Sequence, residues 1–537
     1  MQIKIQQTAT VPKIFFGLAA FVTLFIVYFC LFNFWERNSD DANSLIAGFE
    51  IFRGNPLLRG WRMPTDTFYF TDLVPAAFLT LFLGLSPKIL VILPALIWSA
   101  TVCFFSRFAS QLDAENPWAP IWVFACLGLP IVVDTHAMRL IGTAPMHIST
   151  VLFGGMVFRF VQLYWADRSN RHLLGAFVVA TLGTYSDPFI VFVSLGPAIV
   201  VCAWNWLEVR RDRCVSLIGV LALSIVLGRG LAVVVWKMGG VELAAQPIAF
   251  AKFEELPNNF ALITRSLLMI FGADFTGRAV GVAPGGSVLH YFAGTPITMF
   301  VRLIFVVCTV AAAIATLRRH AAALGRDISS DGKSFVMACL ATSIVLSCVA
   351  AFVSNQMQNL ESARYLLPAL LYGVVLSAAM FSKMRIGRAF VVVAAILSAL
   401  AVAGTMSIAR TNATYVGKNI DGLGTWLVAN DLHEGYGPYW SASAVTMASN
   451  GDAKVRAIAS DQGGPIHPYL WLADRRWYSK PIGRRFILVD KVNPGNYTTE
   501  QVIAQFGKPA EIKQISIYDV LVYDADKSDL SALMVSH

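Results

Sequence analysis

The chain has 537 residues, of which 56% are hydrophobic and 14% charged, and its formal net charge is +9. An ordinary soluble chain is about 25% charged, so this composition excludes a wholly soluble protein and points to the membrane. The basic surplus sits in short loops between apolar runs, where it acts as a topology signal and argues against nucleic acid as a partner.

Taken in chain order, Lys4 and Lys13 precede an apolar run from Ile14 to Phe34. It is too long for a signal-peptide core and has no small-residue cleavage site, so it reads as a retained first span with its leading side in the cytoplasm. Residues 35 to 72 form a polar outer segment whose aromatics and arginines, among them Phe49, Arg53, Arg59, Trp61 and Arg62, suit short interfacial helices. Residues 71 to 165 hold four apolar stretches, at 71–85, 89–106, 118–133 and 145–165, where the flanking loop charges demand an odd number. The first or the third, both short of the roughly 20 residues a span needs, is expected not to cross.

Further basic loops, Asp167–His172, Glu208–Arg213, Arg318–Lys333 and Lys383–Arg388, belong in the cytoplasm by the positive-inside rule. Between them run two spans in residues 173–207 that turn at Ser186-Asp187-Pro188, a span over Val215–Trp236, and spans near 296–317, 334–353, 364–381 and 389–408. The total is about 11 spans. The outer loop 237–295 is longer than the roughly 12–15 residues beyond which loops are usually functional or disordered. Within it, Pro257–Gly277 has an apolar face for the interface, and Gly281–Ser287 reads as a mobile lid.

Residues 410–537 have ordinary polarity, which at about 120 residues is enough for a core of their own. Helices are predicted over Leu423–Leu432 and over Thr498–Phe506, the second opened by a Thr498/Gln501 capping box. Strands are predicted at Lys454–Ala459, Arg485–Asp490 and Ile515–Tyr523. The expected fold is a polytopic all-α membrane domain, residues 1–409, followed by a small extracytoplasmic α/β domain, residues 410–537. The eight cysteines lie in or beside apolar segments and the histidines are scattered singly, so neither a disulfide framework nor a zinc site is expected.

Several polar residues could carry chemistry. Asp40 and Asp41 follow the first span, and adjacent carboxylates there can hold a divalent cation or, through mutual repulsion, supply a general base. They can equally solvate the loop or cap a helix beginning at Ala42. Asp66 and Asp72 stand close to hydrocarbon, where a carboxylate is costly unless it lines a polar cleft. His136 and Arg139 lie between two apolar runs, where a helix cap and headgroup contacts explain them as well as function does. Asp187 before Pro188 reads as an Asx-type turn rather than a ligand. Arg229, flanked by Gly228 and Gly230 inside a span, needs a partner or water, which a donor phosphate or another helix would provide.

Arg364, in the string Glu361-Ser362-Ala363-Arg364-Tyr365-Leu366-Leu367-Pro368, stands at the outer start of a span. It either snorkels to headgroups or grips phosphate with its planar fork. In the tail, the string Gly435–Ala442 with Trp471 and Trp477 could stack a sugar ring, but a core role is the stronger expectation. The tail has no G-x-S-x-G elbow, P-loop or dinucleotide glycine pattern, so it reads as an accessory or acceptor-binding domain.

Two of these strings resemble C-type (GT-C) glycosyltransferases. One is the acidic pair early in the first outer loop; the other is similar to the Arg-Tyr-Leu-x-Pro string that opens a late span in many bacterial members. The strings are short, while the span layout covers residues 1–408. The resemblance implies a bacterial inner-membrane enzyme that moves a sugar, with inversion, from a polyprenyl-phosphate donor to an envelope glycan, lipid or protein acceptor on the outer face. It implies that Asp40 or Asp41 activates the acceptor hydroxyl or ligates a divalent cation such as Mg or Mn. Arg364, with Arg229 or Arg139, would then hold the donor phosphate, and Asp66, Asp72, His136, Glu361 and Tyr365 would line the cavity among membrane lipids. A lipid-glycan transporter or flippase is the main rival, although such carriers show two related halves with matching interrupted helices, and no such repeat is present. A non-catalytic envelope-glycan assembly factor with the same layout is the second.

Overall fold

A computed structural model of the chain describes residues 10–33, 37–112, 116–128, 135–144, 146–206, 211–244, 248–276, 296–322, 332–412, 418–461, 463–478, 484–492, 497–524, 530 and 533–534. The chain is mostly helical, with its longer strands between residues 434 and 523. Among the described residues, seven helices are long and apolar enough to cross a membrane: Ile89–Leu112, Ile148–Asp167, Asp212–Lys237, Pro296–Ala322, Gly332–Val353, Leu360–Phe381 and Arg385–Gly404. Shorter apolar helices cover Gly17–Phe32, Tyr69–Leu83, Trp118–Gly128 and Val191–Trp206. The two stretches read as too short to cross are the second and third of these. A further helix covers Asn170–Ser186. Each such helix satisfies its own backbone, as an apolar run would have to in hydrocarbon.

The chain divides into two compact units: Met1–Phe32 with Pro94–Leu231 and Pro247–Ala409, and Asn33–Leu93 with Ala232–Gln246 and Arg410–His537. The first unit is helical. Its helices approach closely at small residues, as helices do where no hydrophobic force drives them together. A Cβ on Gly373 would overlap the Thr309 side chain, and one on Gly154 would crowd the Tyr372 hydroxyl. Hydrogen bonds add specificity: Tyr372 donates to the Val151 carbonyl at 3.0 Å and the Trp122 indole to Ser377 Oγ at 3.0 Å. Arg302 is buried inside its span, where Nη1 donates to the Cys126 carbonyl at 2.6 Å and Nη2 to Ser398 Oγ at 3.0 Å. Such internal satisfaction is what makes a cation tolerable at this depth. Outward faces expose Val226, Val307, Val349 and Ile396. The stretch Gly281–Ser287, read as a lid, lies outside the described residues.

The second unit contains a six-stranded sheet of order β5-β4-β3-β7-β9-β8, built from β3 (Glu434–Pro438), β4 (Lys454–Ser460), β5 (Ile466–Pro468), β7 (Arg485–Asp490), β8 (Glu511–Ile515) and β9 (Tyr518–Tyr523). β3 runs parallel to both β4 and β7, and β9 is antiparallel to β7 and β8. Alternation along the strands splits the core in two. Phe486, Leu488, Val520 and Val522 face the helices Lys418–Ala429 and Tyr439–Ala448, while Ile487, Val489 and Leu521 face the helix Thr499–Phe506. That last helix carries the expected capping box between Thr498 and Gln501.

One expectation is corrected: Ile515–Tyr523 is not a single strand. Ser516 and Ile517 form a two-residue hairpin loop between β8 and β9, closed by the pair Ile515 and Tyr518, with Ser516 at φ +54°. Two-residue hairpins require positive φ of this kind. Neither β3 nor the helix Tyr439–Ala448 was anticipated from the string Gly435–Ala442. Gly435 stands where a Cβ would strike Phe486 on the neighbouring strand.

A second sheet of order β2-β1-β6 joins β1 (Trp61–Met63) to β2 (Glu242–Leu243) and β6 (Ala473–Asp474). The polar segment 35–72 is therefore structural. Its helix Ser39–Ile51 docks on the helix Tyr439–Ala448, where the Ser443 amide donates to Ser39 Oγ at 3.0 Å and Ser443 Oγ donates to Asn43. Gly48 permits the same helix to lie against Leu73 and Ala76.

Candidate functional site

In the helical unit, Asp187 ends the helix Asn170–Ser186 and is completely buried. Its Oδ1 accepts the Phe189 amide at 2.9 Å, which is the Asx-type turn expected before Pro188. Its Oδ2 does more, accepting the Thr150 hydroxyl and facing His147 Nδ1 at 2.6 Å. A carboxylate in that position fixes the ring's orientation. His147 itself has φ +62°, a left-handed backbone that costs on the order of 1–3 kcal/mol in a non-glycine residue and persists where packing over-determines it. The packing is visible: its ring centroid is 5.1 Å from that of Phe189 and 5.7 Å from that of Tyr365.

Tyr365 connects this pair to Arg364. The Arg364 guanidinium is 5.1 Å from the Tyr365 ring, and its Nη2 donates to the Tyr365 hydroxyl at 3.2 Å. Among the described residues Arg364 has no carboxylate partner, and its buried Nε has no hydrogen bond. A half-buried guanidinium with donors to spare is an anion-binding group. Arg139 differs: it forms a 2.8 Å ion pair with Glu361, so both members of that pair are already matched.

Two other sequence candidates are displaced. Arg229 was expected to be buried inside its span, yet it is exposed. The reason lies next door, because Gly228 faces inward against Thr181 and Thr184, which turns the following residue outward by the roughly 100° step of a helix. An arginine on an outward face is placed to snorkel rather than to pair with a neighbouring helix. His136 is also exposed, near the start of the helix Thr135–Gly142.

In the second unit, Asp40 and Asp41 open the helix Ser39–Ile51. Asn38 is its N-cap, accepting from the amides of Asp40 at 3.0 Å and Asp41 at 3.3 Å, while Asp41 Oδ2 accepts the Asn38 amide at 3.3 Å. This reciprocal box satisfies orphan donors and leaves Asp41 buried. Asp40 is half-buried and accepts the Tyr439 hydroxyl. Burial, and then the Asp40 charge, push that hydroxyl well above the usual tyrosine range, so it remains a donor. Consecutive helical residues do not face each other, and one of these carboxylates is committed to the cap. The pair is built into the cap and the Tyr439 contact, an arrangement that does not by itself point to a shared divalent cation. Asp72 is buried in the π-helical turn Tyr69–Leu73, and Asp66 accepts the Thr65 hydroxyl at 2.7 Å.

The tail aromatics build core, as expected. Tyr436 and Tyr439 are buried in the two core clusters, and Trp471 and Trp477 pack against them. Sequence reasoning did not single out His147 or Arg302. His147 is one of several isolated histidines, and only folding brings it to a carboxylate 40 positions away. No protein-family model matches the sequence, and no curated protein matches it either.

Proposed function

We propose that the chain is a membrane glycosyltransferase that moves a sugar, with inversion, from a polyprenyl-phosphate donor to an acceptor of the bacterial cell envelope on the outer face of the inner membrane. In this reading about 11 helices span the membrane, the basic loops lie in the cytoplasm, and residues 410–537 lie outside. The observation that carries it is Arg364: a half-buried guanidinium without a carboxylate partner among the described residues, in the Arg-Tyr-Leu-x-Pro string, next to a tyrosine that touches an oriented histidine.

The chemistry follows from charge. As the acceptor oxygen bonds to the anomeric carbon, the bond from that carbon to the lipid phosphate breaks and the phosphate leaves with the electron pair. Donors fixed in advance at the departing oxygen stabilise that charge, and Arg364 supplies them. The acceptor hydroxyl must lose its proton to a base. Asp40 is the base that the family resemblance implies. His147 is the base that the Asp187 contact favours, since the carboxylate orients the ring. Asp41, held in its cap, serves the helix instead.

A mass comparison of envelope glycans from cells with and without the chain tests the reading. Loss of one glycosyl increment is expected, and an unchanged profile would contradict it. Asp40→Asn and His147→Asn then separate the two bases at equal protein level: the one that stops transfer holds the proton, and full transfer in both would remove the base assignment.

A further inference from the structure

Away from the residues assigned to transfer, the second unit contains a cavity of about 190 Å³ lined by Glu434, Tyr436, Lys454, Arg456, Arg476, Trp477 and Arg485. It lies where three parallel strands begin. Glu434 opens β3 beside Lys454, which opens β4, and Arg485 opens β7. Residues two apart on a strand share a face, so Glu434 and Tyr436, and beside them Lys454 and Arg456, line one surface. Ligands of open α/β sheets usually bind at the opposite, carboxyl ends of the strands. The character of this cavity therefore comes from its own side chains.

Four cationic residues meet one carboxylate in the lining, and they are not equally committed. Arg476 is held by Asp474 and by Glu50, its Nη2 lying 2.8 Å from Glu50 Oε2. Arg485 pairs with Glu434 through Nη1, while its Nε is buried without a hydrogen bond. Arg456 and Lys454 have, among the described residues, no carboxylate within ion-pair distance and no side-chain hydrogen bond. Arg456 instead lies 4.5 Å over the Trp477 ring, which is itself braced edge-on by Trp61 at 5.0 Å. Burial pushes the Arg456 guanidinium down to about 10, against the pull of the nearby Asp474 and Glu50 carboxylates, so the half-buried group stays charged at neutral pH.

Two cations without an ion-pair partner among the described residues, set around one small space, suit an oxyanion. The volume falls below the roughly 300–1,000 Å³ of pockets that take whole ligands, so it admits a head group. We infer that this cavity is a binding site for a phosphate group, free or carried on a sugar, gripped by Lys454 and Arg456. The site is independent of the transfer chemistry proposed above.

The test is calorimetric titration of the full-length protein in non-ionic detergent with inorganic phosphate and, in a second arm, with a hexose phosphate. Saturable one-site binding is expected, weakened about tenfold or more by Arg456→Met, since charge-assisted phosphate contacts are strong, and to a lesser extent by Lys454→Gln. Tighter binding of the hexose phosphate would assign a phosphorylated sugar, and equal binding would assign the phosphate alone. Lys454 is exposed, so its variant keeps the fold and the test stays decisive if Arg456→Met misfolds. Absence of saturable phosphate binding, or equal affinity in wild type and Lys454→Gln, would overturn the inference.

Discussion

The two units treat buried carboxylates in opposite ways. In the helical unit, Asp187 draws its donors from Thr150, His147 and Phe189, two of them far away in sequence. In the other unit, Asp41 accepts through Oδ2 from the amide of a residue three positions earlier. The difference teaches which carboxylates to suspect. An acid in a helix cap is explained by the orphan amides it serves. An acid buried among apolar helices is costly unless partners are brought to it, and here the partner is a histidine, the side chain best suited to moving protons near neutral pH.

Breaking each network should show the contrast in magnitude. Asp187→Ala leaves His147, Thr150 and the Phe189 amide without their acceptor. Removing one side of such a buried pair costs roughly 3–5 kcal/mol, so thermal unfolding in detergent should shift far downward, and an unshifted transition would deny the network its role. Tyr439→Phe removes the donor to Asp40 where the helix Ser39–Ile51 meets the tail. A loss of about 1–3 kcal/mol is expected for an acceptor left unmatched, read by urea denaturation of the full chain. Asn38→Ala should cost about 0.5–2 kcal/mol through the lost cap, measurable in the same way. Arg229→Leu should fall within about 0.5 kcal/mol of wild type, as substitutions on an exposed face do. A large effect there would show that the outward face of its helix is occupied.

What was legible in the sequence follows the same division between local and distant contacts. The apolar runs are helices, as their length and composition alone suggest. The capping box at Thr498 and Gln501, and the strands at Lys454 and Arg485, are fixed by patterns a few residues long. The string Gly435–Ala442 was opaque because its glycines and aromatics match no short period; Gly435 answers to Phe486, some fifty positions later. Within the candidate site, Arg364 and Tyr365 were visible as a motif, whereas His147 was not, since nothing near it in sequence announces Asp187. Arg229 misled because the glycines flanking it suggested a buried crossing, when one of them faces inward and turns the arginine out.

The contrast between Arg364, without a carboxylate partner among the described residues, and Arg139, paired with Glu361, offers the most direct test of the transferase reading. Envelope glycans from cells producing Arg364→Ala and Arg139→Ala at wild-type protein levels should be compared by mass. Loss of the glycosyl increment in Arg364→Ala with its retention in Arg139→Ala is the predicted result, and a full increment in Arg364→Ala would contradict the account.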